Sequence, residues 1–217
     1  LFGACPMACG AAADEAQDPR ARNLALLDAA RDGDAVQLRA LIDAGASIRT
    51  RNRFGNTALL YAARNGHAHV VDLLLAEGAS ADRANVNGET PLMEAAGGGH
   101  VDIARRLLAE GADPGHANIR RITPLMRAAY GGHSAMVRLL LAAGAPVAPL
   151  DHTGKSAAVY AAARGDGEML ALLLPVDEDI DRRYANDLTL LMWAAGADHP
   201  AALELLVSRG ADPDLRD

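Results

Sequence analysis

Four stretches of this 217-residue chain carry side chains whose types and spacing could support chemistry. Thr153-Gly154-Lys155-Ser156 matches the end of a phosphate loop, where backbone amides cradle phosphates and a lysine reaches them. That loop also needs a glycine five residues before Gly154; Pro149 stands there, so the stretch reads as a turn. Cys5 and Cys9 bring two soft sulfur ligands close together, a set suited to Cu(I), but both fall in a leader-like segment. Asp177, Glu178, Asp179 and Asp181 would attract a hard cation, yet lack the glycine and the spacing of a calcium loop. They read as a solvated acidic loop. His67, His100 and His133 recur at intervals of 33 residues. Zinc needs ligands about 2 Å from one shared point. Histidines on separate stacked units lie roughly 10 Å apart, and His67 and His69 would diverge. Capping or surface roles are expected for them, and no metal or other cofactor is expected. No Ser–His–Asp or Cys–His set is placed, and nothing implies a dry pair of carboxylates. No catalytic residue is expected, and the chain does not read as an enzyme.

Elements must exist to position any such residues, and composition limits which. Half of the residues are apolar, aromatics make up only 3%, and alanine is abundant. A core of small and aliphatic side chains favours closely packed helices over sheets, which draw on β-branched and aromatic residues. The net charge of −7 argues against nucleic acid, whose binding requires a basic surface. No apolar run reaches the length of a membrane span. One lysine, Lys155, stands among many arginines, which reads as a GC-rich, bacterial coding bias.

Internal repetition organises the rest. "TPLMEAAGGGHVDIARRLLAEGADP" from Thr90 is echoed by "TPLMRAAYGGHSAMVRLLLAAGAP" from Thr123. Thr57, Thr90, Thr123, Ser156 and Thr189 mark steps of 33 residues. His67, His100, His133, Asp166 and His199 keep the same beat, as do Gly45, Gly78, Gly111, Gly144 and Gly210. Threonine hydroxyls can cap a helix, with Pro91 or Pro124 in its first turn. Gly99 and Gly132 end that helix, and Asp34 and Asp166, standing where other copies have histidine, suggest capping of a second. Gly111 then stops the second helix. Asn-Gly in "NVNGET" signals a turn in the projecting loop. The fifth copy is irregular, with Pro175 and Asp177 near its expected stop. No copy can bury its apolar face alone, so the copies must stack.

The pattern T-P-L-M-x-A-A-x-x-G-H-x-x-x-V/A-x-x-L-L-x-x-G-A-D resembles the ankyrin repeat, over roughly residues 20–217. The resemblance implies an all-α solenoid of about six helix-turn-helix repeats with projecting loops, near 22–54, 55–87, 88–120, 121–153, 154–186 and 187–217. Leu60, Met93, Met126 and Met192 depart from the family's usual histidine. Arg121 replaces its usual turn glycine.

The resemblance also implies a concave face of loops and first helices that grips a partner protein. Counting each threonine as one, the fifth position of the first helix holds Asp28, Tyr61, Glu94, Arg127, Tyr160 and Trp193. The eighth holds Arg31, Arg64, Gly97, Tyr130, Ala163 and Gly196, and shares a face with the fifth. Aromatics and arginines anchor interfaces. Phe54, Tyr61, Arg64, Arg120, Arg127, Tyr130, Tyr160, Arg164 and Trp193 are therefore the candidate partner-binding residues. Tyr61, Tyr160 and Trp193 have an alternative, packing between neighbouring first helices. Gly97-Gly98-Gly99 would leave room for a protruding segment of the partner. Arg49, Arg51, Arg53, Arg120, Arg121, Lys155, Arg182 and Arg183 would form a basic rim that favours an acidic partner surface. The expected function is a non-catalytic interaction scaffold, monomeric when free.

Residues 1–19 read as a leader: apolar, then small, with Ala-x-Ala before a cleavage after Ala13. Export to the periplasm or secretion follows, with Cys5 acylation or a disordered cytoplasmic tail as alternatives. An exported chain would also suit an accessory or inhibitory subunit of an exported enzyme.

Overall fold

The computed structural model describes residues 18–174, 179–196 and 200–215. Among these residues the protein is all-helical, with twelve α-helices and no strand. They are α1 Pro19–Asp32, α2 Ala35–Asp43, α3 Ala58–Asn65, α4 Ala68–Ala76, α5 Pro91–Gly98 and α6 Val101–Ala109. Then follow α7 Pro124–Gly131, α8 Ser134–Ala142, α9 Ala157–Arg164, α10 Gly167–Leu173, α11 Leu190–Ala195 and α12 Pro200–Ser208.

Each odd-numbered helix starts where a hydroxyl or carboxylate can hold a free backbone amide. The side chains of Thr57, Thr90, Thr123, Ser156 and Thr189 accept from the amides of Leu60, Met93, Met126, Val159 and Met192 at 3.2–3.4 Å. The first helix begins earlier than the repeat register implies, because Asp18 caps it by accepting from the Arg20 amide and Pro19 supplies a preset first turn. Gly33, Gly66, Gly99, Gly132 and Gly165 end α1, α3, α5, α7 and α9 in the left-handed conformation.

The expected capping of the second helix holds for aspartate only. Asp34 and Asp166 accept from the amides of Gln37 and Met169 at 2.8 and 2.9 Å. His67, His100 and His133 stand at the same register but make no cap bond. Their Nε2 atoms instead meet the backbone carbonyls of Arg31, Arg64 and Gly97, in the copy before, at 2.9, 3.2 and 3.1 Å. The ring lies over the preceding turn, so it ties neighbouring copies together.

The helices stack in two layers. Odd-numbered helices pack in series, each on the next, and even-numbered helices do the same, while each pair packs internally. Ala62, Ala63, Ala95, Ala96, Ala128, Ala129, Ala161 and Ala162 are completely buried in the first layer. Methyl side chains let these short helices approach closely. Leu74, Leu107 and Leu140 fill the space between the layers. Leu60, Met93 and Met126, which replace the usual histidine, are buried core residues. The core is thus continuous along the stack, as a solenoid requires. The fifth pair departs from its neighbours: α10 has 7 residues against 9 in α8, and the chain leaves it extended at Leu174. Pro175 and Asp177 lie outside the described residues.

The loops between pairs are tight fingers. The amides of Asn52, Asn85, Asn118, Asp151 and Tyr184 donate to the carbonyls of Asn56, Glu89, Ile122, Lys155 and Leu188 at 2.9–3.1 Å. In the first four, the Asn or Asp side chain also accepts amides two and four residues on, fixing the turn locally. Gly55, Gly88, Arg121, Gly154 and Asp187 share one register with positive φ; Arg121 reaches 58° and Asp187 reaches 62°. Successive fingers are bonded to each other, through the amides of Val86, Ile119, His152 and Ala185 to the carbonyls of Phe54, Asn87, Arg120 and Gly154.

Candidate partner-binding groove

A groove of about 810 Å³ opens between the fingers and the first-helix layer. Its finger side is formed by Asn87, Glu89, Asn118, Ile119, Arg120 and Ile122. Its helical floor includes Arg64, Glu94, Gly97, Met126, Arg127, Tyr130 and Tyr160. Stacking is what assembles it, since these residues come from neighbouring repeats.

The floor is an ion-pair chain. Glu94, only 4% exposed, accepts from Arg64 Nε at 3.0 Å and from a terminal nitrogen at 2.6 Å. On its other side it receives Arg127 at 3.5 Å, and Arg127 also pairs with Glu89. The hydrogen bond to Glu94 holds the Arg64 guanidinium above its ordinary pKa, against the opposing effect of burial. Arg64 and Arg127 line the groove, but their charges are already matched inside the protein. Arg120 differs: it is exposed, and among the described residues its guanidinium has no hydrogen-bond or ion-pair partner.

The aromatic candidates divide. Tyr130 is 70% exposed, and its ring meets that of Tyr160 edge-on, with centroids 5.7 Å apart. The Tyr160 hydroxyl donates to Asp151 at 2.5 Å. Burial, and then this bond, push the Tyr160 phenol above its ordinary pKa. Burial alone would raise Asp151, but bonds from Tyr160, Thr153 and the Lys155 amide hold its carboxyl below the usual range. Tyr61 makes the matching contact three repeats earlier, accepting from Asn52 Nδ2 at 2.7 Å. Tyr61, Tyr160 and Trp193 are partly buried and all pack against the core. Lys155 Nζ sits 5.0 Å from the Trp193 ring centroid, so that lysine and tryptophan face each other. The Thr153–Ser156 stretch is accordingly a finger, with Gly154 at its turn and Ser156 capping α9.

Arg164 is committed elsewhere. Its guanidinium donates to the Tyr130 carbonyl at 3.2 Å. This is the place that histidine fills in the earlier copies; Asp166 stands in the histidine register here, and Arg164 supplies the missing tie. The glycine triplet is also less open than its composition implies. A β-carbon on Gly98 would meet the His100 ring at 2.5 Å, and one on Gly99 the His133 ring at 2.6 Å. Gly97 and Gly98 both line the groove.

Two exposed apolar residues escape a search for aromatics. Val86 and Ile119, 62% and 70% exposed, crown consecutive fingers beside Phe54, itself 50% exposed with Arg53 stacked on its ring. Val86 and Ile119 stand 33 residues apart at a loop register, the signal by which they could have been found. Glu89 and Glu94 were equally hidden as partners of the arginines.

Among the described residues, no three His, Cys, Asp or Glu side chains are grouped to hold a metal ion, and no helix is long and apolar enough to cross a membrane. Cys5, Cys9, Asp177 and Glu178 lie outside the described residues. Asp181 accepts from the Asp212 amide at 3.0 Å. No curated protein matches the chain. A family model for ankyrin repeats, described as three copies, matches residues 26–118, 99–184 and 125–217. With its helix pairs, left-handed caps and mutually bonded fingers, the chain belongs to the ankyrin-repeat family, whose repeats are generally modules of protein–protein interaction.

Proposed function

We propose that this chain is a non-catalytic scaffold of six repeats, monomeric when free, that holds one partner protein across its groove and finger tips. One observation carries the reading. Of the seven exposed large apolar side chains among the described residues, Phe54, Val86, Ile119 and Tyr130 lie along the fingers and the groove. Exposed apolar residues gathered on one face mark an interaction surface. The bonded fingers and capped helices hold that surface in place before binding, which reduces the entropy lost on association. The binding set is accordingly Phe54, Val86, Ile119, Arg120 and Tyr130, while Tyr61, Arg64, Arg127, Tyr160, Arg164 and Trp193 shape and support it. Export of the chain is part of the proposal, and the intact mass of the mature protein tests it through cleavage near Ala13.

The binding experiment is affinity capture from native extract, with wild type, an Ile119→Ala/Tyr130→Ala double variant and an Arg105→Ala control on α6. A partner held by wild type and control, and weakened in the double variant by at least about 2 kcal/mol, is the expected result. A partner held equally by all three moves the interface away from the groove.

A further inference from the structure

Resting on that reading, we infer that the groove takes a linear segment of the partner in which one carboxylate side chain lies next to a large apolar one. The charge arithmetic of the groove supports this. Arg64, Arg120 and Arg127 face two carboxylates, Glu89 and Glu94. Arg64 is matched by Glu94, and Arg127 by Glu89. Arg120 is left as the unmatched cation, standing on a finger whose neighbouring residue is the exposed Ile119.

A guanidinium with five donors and no internal acceptor suits a carboxylate, which it can hold through two parallel bonds. Beside it, the exposed Ile119 and Tyr130 and the half-buried Ile122 offer apolar surface. The Tyr130 ring is braced edge-on by Tyr160, whose own hydroxyl is pinned to Asp151. Gly97 contributes no side chain to the floor, and the Arg127 guanidinium lies over it, where a β-carbon would come within 3.0 Å of Nε. The chain as a whole carries −7, so a broadly acidic partner is repelled at long range. The groove therefore suits one acidic residue with apolar company rather than an acidic run.

The test uses a phage-displayed library of random linear peptides, selected on the full chain, with enriched peptides resynthesised and titrated by fluorescence anisotropy. Expected are peptides with Asp or Glu within about two residues of Leu, Ile, Phe or Trp, the reach of one strand pleat. Arg120→Ala and Tyr130→Ala each weaken them about tenfold or more, and Arg120→Lys retains part of the affinity. Circular dichroism checks that both variants stay folded, as expected for exposed side chains. Enriched peptides without an acidic residue, lost in Tyr130→Ala but indifferent to Arg120→Ala, overturn the inference and leave the groove reading standing. Peptides indifferent to both substitutions overturn both. A library that yields no binder overturns the linear segment, while the capture experiment decides the groove separately.

Discussion

Arg64 and Glu94 form a forked ion pair across two neighbouring repeats, with bonds of 3.0 and 2.6 Å between residues 30 positions apart. The pair is asymmetric: the Glu94 side chain is 4% exposed and that of Arg64 is 44% exposed. Removing one partner is costly when the other stays buried and charged. Arg64→Ala leaves the Glu94 carboxylate with Arg127 alone, at 3.5 Å. It is expected to cost about 2–4 kcal/mol. Glu94→Gln lets Arg64 turn to water and is expected to cost about 1 kcal/mol. Urea unfolding of the two variants checks this; equal losses would refute the asymmetry.

The contrast between caps and groove shows what a single sequence makes legible. Thr57, Thr90 and Thr123 could be assigned because a capping bond spans three residues. The left-handed turn at Arg121 was similarly visible against Gly55, Gly88 and Gly154. The pairing of Arg64 with Glu94 depends on how one repeat seats on the next, which no local rule supplies. A sign was present: along the first-helix stripe Arg64, Glu94 and Arg127 alternate in charge, copy by copy. The capping role expected for the histidines fails for the same reason. A helix start invites a cap, but the imidazole of His100 finds the Arg64 carbonyl of the preceding repeat.

Asp151 and Tyr160 should give the protein a pH signature at both ends. The folded Asp151 carboxyl lies below its ordinary value of 3.8, so its contribution is complete above the unfolded value and fades as pH falls through the folded one. Tyr160 is raised above 10.0, so its contribution is complete below the unfolded value and declines as pH rises above it. Asp151→Asn retains a turn acceptor and can donate to the phenol as Asn52 does to Tyr61. At pH 7 it should cost under about 1 kcal/mol, against about 1–3 kcal/mol for Tyr160→Phe, which strips a donor from a buried carboxylate. Thermal melts between pH 2.5 and pH 11, in roughly unit steps, read both trends. The gap between wild type and Asp151→Asn should close in acid; a gap that widens there would contradict the assignment.

Arg164 provides a test of what belongs to the scaffold and what to the interface. Its bond to the Tyr130 carbonyl joins two repeats. Arg164→Ala should lower stability by about 0.5–1.5 kcal/mol, the net value of one such bond. Capture of the partner should be unchanged, because the guanidinium is already engaged within the stack. Loss of the partner in a variant that melts like wild type would instead place Arg164 at the interface.

Gly99 and Gly111 separate backbone strain from packing between repeats. Both are left-handed, with φ of 70° and 86°. A β-carbon on Gly111 would meet nothing within 4 Å, whereas one on Gly99 would come within 2.6 Å of the His133 ring. Gly111→Ala therefore carries only the left-handed penalty, about 1–2 kcal/mol. Gly99→Ala adds displacement of the ring, and with it the bond from His133 to the Gly97 carbonyl, worth about 1 kcal/mol more. In a His133→Ala background the obstruction is gone, so the two alanine substitutions should cost the same. Denaturation of the single and double variants gives this comparison directly. A persistent excess for Gly99→Ala without the histidine would show that the ring is not what reserves the site for glycine.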